Sequence, residues 1–285
     1  MCESCPPTLT RRGMVTGLGA ATLAATPLLP AGAAGPRRPH RVLVFSRTTG
    51  FRHASIEVGV ETIRQLGAEH GFAVVHTEDQ REIRSRRLRR FTSVVFLNTT
   101  GNVLDDQGRG DLRDFVLSGG GWVGVHSAAD TEYDWGFYTR LLARGRFLCH
   151  PVQQPGVVVR EDADHIATRH LPRRWQVPLE EFYSFTDNPR PRARVLLSID
   201  ESTYQQDPNT SQLPSEEQPF PPPEGVTGVM GDHPMSWQRR VGDGVAWYTA
   251  LGHEIGMYVD PDYRQHLLGG LLTATRHGRW HLPGG

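Results

Sequence analysis

The sequence contains no lysine: all 31 basic residues among its 285 are arginine, balanced by 31 aspartates and glutamates. That absence excludes a lysine Schiff base, a pyridoxal-phosphate anchor and the P-loop lysine that reaches a β/γ-phosphate. Zero formal charge leaves no whole-protein attraction for nucleic acid or acidic lipid. Cysteine is scarce as well, with Cys2, Cys5 and Cys149 the only three. What remains is 13 histidines and abundant Gly and Pro, in a chain long enough for one large or two modest domains with many loops.

The first 35 residues read as an export signal. Thr10-Arg-Arg-Gly-Met-Val15 leads into a weakly apolar Ala/Gly/Leu stretch from Met14 to Leu29, and Ala31-Gly-Ala33 is a small-x-small cleavage signal. The paired arginines and the weakly apolar stretch favour the twin-arginine route, hence a secreted, periplasmic or cell-surface protein. The stretch is too short and too polar to span a bilayer comfortably, so no membrane span is expected after signal removal. Cys2 and Cys5 leave with the signal. One thiol, Cys149, stays, and no internal disulfide can form.

From residue 41 apolar runs alternate with helical periodicity. Arg41–Ser46, Phe72–His76, Val94–Asn98 and Trp122–His126 read as strands. Ile56, Val60, Ile63 and Leu66 mark a helix opened by Ser55 and stopped by Gly71, and Leu112–Val116 and Trp135–Arg144 mark two more. This predicts an α/β, flavodoxin-like, mostly parallel sheet with helices on both faces. The second half is irregular and β-rich, with strands at Val157–Arg160, Phe182–Phe185, Val195–Ile199 and Val245–Leu251 and a helix at Pro261–Arg276. The Pro/Gln-rich stretch 205–225 reads as a mobile surface loop. Arg81–Arg90 holds six arginines, but no aromatics alternate with them; a solvated helix face is expected, and no nucleic-acid partner.

Parallel α/β sheets bind ligands beyond the carboxyl ends of their strands. There the sequence delivers Arg47–His53, Asn98–Gly101, Gly124–Asp130 and Gly252-His253, polar and Gly-rich each time. The turn at His126 resembles a nucleophile elbow, yet Gly-x-Ser-x-Gly fails around Ser127. Cys149 precedes His150, but adjacent side chains of an extended segment point apart, so a buried small hydrophobe is the better reading of Cys149. His126, His150, His233 and His253 lie in or beside Gly/Pro turns, and Asp130, Glu181, Asp187 and Asp232 are available as carboxylates. No H-E-x-x-H occurs. A divalent metal would have to be held by residues from distant segments, and hydrogen-bonding loop histidines are the plain alternative.

Several ordered motifs resemble the trehalose-utilisation (ThuA-like) family. They are Arg47-Thr-Thr-Gly-Phe-Arg-His53, Phe96-Leu-Asn-Thr-Thr-Gly101, Gly119-Gly-Gly-Trp-Val-Gly-Val-His-Ser-Ala-Ala-Asp130 and Phe147-Leu-Cys-His-Pro151. Glu181–Arg190, Gly231–Trp237, Tyr248–His253, Asp260-Pro261 and His266–Gly270 continue the series, so the resemblance runs from about Arg41 to Arg276 within a domain of residues 36–285. It implies the class I glutamine-amidotransferase-like fold and a role with trehalose and related disaccharides through 3-keto-sugar chemistry. Amidotransferase relatives carry a cysteine at the elbow, where this sequence has His126, which argues against that activity. Cys149 is off-motif, and the Gln206–Glu224 insertion is longer than usual for the family.

The expected ligand is a small sugar. Trp135, Tyr183 and Trp237 can supply aromatic faces and Asn98, Asp130, Asp187 and Arg190 polar edges, although core packing is the plain reading of any one aromatic. His53, His150 and His233 complete the substrate-facing set. A ketone at C3 acidifies the neighbouring C2–H, which His126 or His253 can remove. Ordinary hydrolysis would instead use a carboxylate pair, best supplied by Asp130 and Glu181. The rival reading is a non-catalytic carbohydrate-binding protein of the same fold, and a third is an amidohydrolase that depends on the Cys149 thiol. Oligomeric state is not legible.

Overall fold

The computed structural model describes residues 40–208 and 224–275. The expected signal, the tail after 275 and most of the expected 205–225 loop lie outside the described residues.

The chain runs β1 (Arg41–Phe45), α1 (Ile56–His70), β2 (Ala73–Thr77), α2 (Ser85–Leu88), β3 (Ser93–Leu97), α3 (Asp106–Leu117), β4 (Gly121–Val125) and α4 (Gly136–Leu141). It continues through β5 (Phe147–Cys149), β6 (Gln154–Arg160), β7 (Arg174–Glu180), β8 (Ser184–Phe185), β9 (Arg194–Ile199), β10 (Pro234–Val241), β11 (Gly244–Thr249) and α5 (Pro261–Thr273). Nine strands form one sheet in the order β2-β1-β3-β4-β11-β10-β9-β6-β7, while β5 and β8 pair separately. The first five are mutually parallel; from β11 onward each strand is antiparallel to the next. Seven of the nine therefore run the same way, with β10 and β6 reversed. The expected mostly parallel α/β sheet with an irregular second half is what forms.

Local chemistry explains the elements. In β3 and β4 every residue is buried, as strands covered on both faces require. The helix α1 buries Ile56, Val60, Ile63 and Leu66, and Gly71 ends it in the left-handed region at φ 73°, its N–H bonding the carbonyl of Gly67. Asp105 caps α3 by accepting from Gly108 N, and Asp260 caps α5 at Tyr263 N, with Pro261 at the first helical position. Among the described residues no helix is long and apolar enough to cross a membrane.

Three readings of the sequence change. Ser55 makes no capping bond; its hydroxyl instead donates to Gly252 O and accepts from Asn98 Nδ2. The expected helix Trp135–Arg144 shortens to α4 because Ala143 and Arg144 take positive φ angles of 52° and 76°. The arginine-rich segment is a 3₁₀ turn followed by the one-turn α2, with Arg81, Arg84 and Arg87 paired to Asp79, Asp105 and Glu82. Strands β5, β7 and β10 carry no clear period in the sequence.

Candidate active site

Strand direction brings the site together. β1, β3, β4 and β11 end at one edge of the sheet, and β7, running the same way, ends there too. The segment leaving β7 then turns back across that edge, as the Glu180 carboxylate shows by accepting from Gly252 N at 2.7 Å and His253 N at 3.1 Å. Glu181 thereby meets residues that follow β4 and β11, far from β7 in the sheet.

One carboxylate gathers three imidazoles. Glu181 Oε2 lies 3.2 Å from His126 Nε2 and 3.1 Å from His253 Nδ1. Its Oε1 lies 3.2 Å from His150 Nδ1 and accepts from Gln153 Nε2 at 3.1 Å. His53 completes the group: its ring sits edge-on to His126 and His253, with centroids 4.9 and 5.2 Å away, and Ser127 Oγ lies 3.3 Å from its Nδ1. The rings of His126 and Tyr183 are 4.2 Å apart, and Phe147 packs against Tyr183 at 4.4 Å. His53, His126 and Glu181 are buried, whereas His253 and His150 are partly exposed.

The backbone is strained where two strands deliver their residues. Asn98 after β3 and His126 after β4 take φ angles of 48° and 47°, in the left-handed region that non-glycine residues rarely adopt. Gly252 has φ 116°, and a Cβ there would stand 2.4 Å from Tyr263 Oη, so only glycine delivers His253 at this point.

Electrostatics divides the group. Burial lowers the pKa of His53 and of His126, keeping both rings neutral. Burial also opposes charge on Glu181, but His150 and His253 outweigh it and hold the carboxyl well below its usual range. His253 is raised to about 9: burial disfavours its charge, yet the Glu181 hydrogen bond and the nearby carboxylates prevail. Glu180 is pushed up to about 7, chiefly by burial. Asp130 is pushed up to about 8 by burial, and its Oδ1 is sealed from solvent without a hydrogen-bond partner. Burial thus favours the protonated form of Asp130, while the neighbouring histidines favour the anionic form of Glu181.

The chain matches the model of ThuA, described as trehalose utilisation, over residues 41–274. It belongs to the ThuA family. Membership in a family described by trehalose utilisation supports a carbohydrate-related role. A ThuA-like protein from Bacteroides uniformis is 23% identical, with 84% of this chain and 93% of that one covered and a TM-score of 0.66. One from Parabacteroides merdae is 17% identical, covering 87% and 94%, with a TM-score of 0.61. These likenesses show the shared fold. No curated protein matches the sequence.

Of the residues singled out in the sequence of this ThuA protein, His53, His126, His150, Glu181, Tyr183 and His253 come together, with Asp130 close enough to be influenced by Glu181. His126 is fully buried with Nδ1 bound to Ala250 O, so it is not a substrate-facing base. Others need correction. Trp237 is a core residue at 0% exposure, packed against Tyr248 and Phe185, and offers no sugar face. Asn98 is buried and holds Ser55 and the Gly252 carbonyl rather than a ligand. His233 bridges Tyr183 O and Glu201, supporting the Tyr183 segment from behind. Asp187 and Arg190 are spent in ion pairs, Asp187 with Arg144 and Arg192, Arg190 with Glu161 and Asp232. Trp135 packs on Phe137 and Tyr138, half-buried.

Sequence patterning does not single out Gln153 or Glu180. Gln153 sits directly before β6, with nothing in the local sequence to distinguish it. Glu180 does leave a trace, since two consecutive acids at the end of a strand are unusual in a segment that must turn inward.

Proposed function

We propose that this ThuA-family chain is an enzyme that cleaves trehalose-type 3-keto-glycosides by proton transfer. The observation that carries the reading is the convergence of His126, His150 and His253 on the single carboxylate of Glu181. A carboxylate so engaged is a poor nucleophile, which disfavours ordinary hydrolysis by an Asp130–Glu181 pair. It is well suited to stabilising an imidazolium formed during proton abstraction.

His150 is the base in this scheme. Its Nδ1 lies 2.9 Å from Pro151 O and 3.2 Å from Glu181 Oε1, two acceptors that favour the tautomer with its proton on Nδ1 and its lone pair on Nε2. Nε2 removes the C2 proton, acidified by the C3 ketone, and an enolate forms. The enolate electrons expel the C1 aglycone, whose oxygen takes the proton of Asp130. Water then adds at C1 and gives a proton back to Asp130, while His150 returns one to C2. The net change is hydrolysis.

Mass spectrometry of products from 3-keto-trehalose and from trehalose tests this. Cleavage of the keto sugar alone is expected, reduced about 100-fold or more in His150→Gln and Asp130→Asn. Calorimetric binding of the disaccharide without any product would instead favour a non-catalytic carbohydrate-binding protein. We further infer export by the twin-arginine route from Thr10–Ala33. Its check is the N-terminus of the exported protein, expected near Ala33, and retention inside the cell when Arg11 and Arg12 are both changed to Lys.

A further inference from the structure

We propose that His53, His126, His253 and Glu181 form a binding site for one divalent transition-metal ion. Each residue offers one donor atom, and the four atoms lie within 4.8 Å of one another. Three of the spacings are 3.1 Å from His253 Nδ1 to Glu181 Oε2, 3.2 Å from His126 Nε2 to the same oxygen, and 3.3 Å from His126 Nε2 to His253 Nδ1. A tetrahedral centre with bonds of about 2.1 Å sets its ligand atoms about 3.4 Å apart. The triangle already has nearly that size.

Hydrogen bonding alone does not explain the triangle. His126 Nδ1–H donates to Ala250 O at 2.8 Å, so Nε2 of the neutral ring carries a lone pair. That lone pair faces a carboxylate oxygen and a second imidazole nitrogen. A proton on His253 Nδ1 can serve only one of its two neighbours well, whereas a cation at the centre is bonded by all three. Ring orientation agrees, with the three imidazoles mutually edge-on at centroid separations of 4.9, 5.1 and 5.2 Å.

The surrounding groups resemble the outer partners that metal sites need. Ala250 O fixes the His126 tautomer, Ser127 Oγ lies at His53 Nδ1, Gln153 Nε2 donates to Glu181, and Glu180 holds the backbone of His253. Three imidazoles with one carboxylate suit Zn²⁺, Co²⁺, Fe²⁺ or Ni²⁺ better than Mg²⁺ or Ca²⁺, which prefer all-oxygen ligands. Of the four residues only His253 is partly exposed, so a substrate would approach from its side. A cation here would polarise the C3 ketone as a Lewis acid while His150 moves the proton. That use rests on the 3-keto-glycoside reading; metal binding itself does not.

The test is titration of chelator-treated protein with Zn²⁺ by calorimetry and with Co²⁺ by visible absorption, Mg²⁺ and Ca²⁺ serving as controls. One equivalent of Zn²⁺ or Co²⁺ is expected to bind, with Co²⁺ bands of imidazole ligation. Affinity should fall about 100-fold or more in His126→Ala, His253→Ala and Glu181→Gln, and stay unchanged in His70→Ala at the end of α1. Circular dichroism identifies a variant that fails to fold, and Glu181→Gln keeps the side-chain shape. Failure of folded wild-type protein to bind either ion, or undiminished binding by folded Glu181→Gln and His253→Ala, overturns the proposal. Stoichiometric binding without turnover of 3-keto sugars supports the metal site and removes the proposed reaction. Turnover by protein that binds neither ion keeps the reaction and removes the site.

Discussion

The Nδ1–H of His126 donates to the carbonyl of Ala250 at 2.8 Å, joining the end of β4 to the end of β11. This bond sets the ring's tautomer and aims Nε2 at Glu181 and His253. Neither aromatic stacking nor burial alone would choose that nitrogen. The parallel pairing of β4 with β11 brings the two strand ends side by side.

Glu180 is expected to position His253 rather than touch substrate. Its two oxygens accept three backbone N–H groups, from Glu181, Gly252 and His253. Glu180→Gln replaces one acceptor by an NH₂ group and should cost about 1–3 kcal/mol. Thermal unfolding temperature and turnover should both decline. Unchanged values for both would show that these bonds do not organise the loop.

Trp237 should behave as core. Trp237→Ala should lower stability by about 3–5 kcal/mol through the cavity it leaves. Urea unfolding measures the loss, and sugar affinity of the folded fraction should be unaltered. A selective loss of sugar binding with normal stability would return Trp237 to the site.

His266 predicts a pH window for stability. Burial pushes its pKa down to about 3, although its hydrogen bond to Ala167 O favours the charged ring. The unfolded chain protonates the same ring near pH 6.5, at about the ordinary imidazole value. The folded state thus binds fewer protons between these values, so the contribution is complete above about pH 6.5 and declines as pH falls toward 3, by no more than about 1.4 kcal/mol per unit. Denaturant unfolding from pH 7 to 4 should show a steeper decline for the wild type than for His266→Gln. Parallel profiles would sink the assignment.

Cys149 should be unreactive in the native state. It is buried, and burial pushes its thiol up to about 11. Native protein should resist a thiol reagent that labels the denatured chain, and catalytic activity should survive the treatment. Rapid inactivation would revive the thiol-dependent amidohydrolase reading.

Much of the fold is legible because its signals are local. Buried strands such as Val94–Leu97 are unbroken apolar runs, α1 repeats Ile56, Val60, Ile63 and Leu66 on one face, and Gly71 supplies the left-handed stop. Strand β7 is less visible, since Arg174–Glu180 is polar at several exposed positions and contains Pro178. Part of the site is legible for a similar reason. His126 and Gly252-His253 follow buried strands closely, where a parallel sheet opens its ligand edge. Nothing local brings Glu181 to them, because its strand lies four places beyond β11 in the sheet.

Residue types alone establish the available chemistry: no lysine amine, one cysteine after residue 35, and histidines and acids at strand ends. Which of these groups act together follows from the path of the folded chain. That path brings Glu181 back over the sheet edge to three imidazoles, buries Trp237 among aromatics, and spends Arg190 on Glu161 and Asp232. The physical reason is that residue type and period encode what a side chain can do and which face it prefers. Its partners depend on chain crossings between distant strands, and those are stabilised by packing that no short stretch of sequence contains.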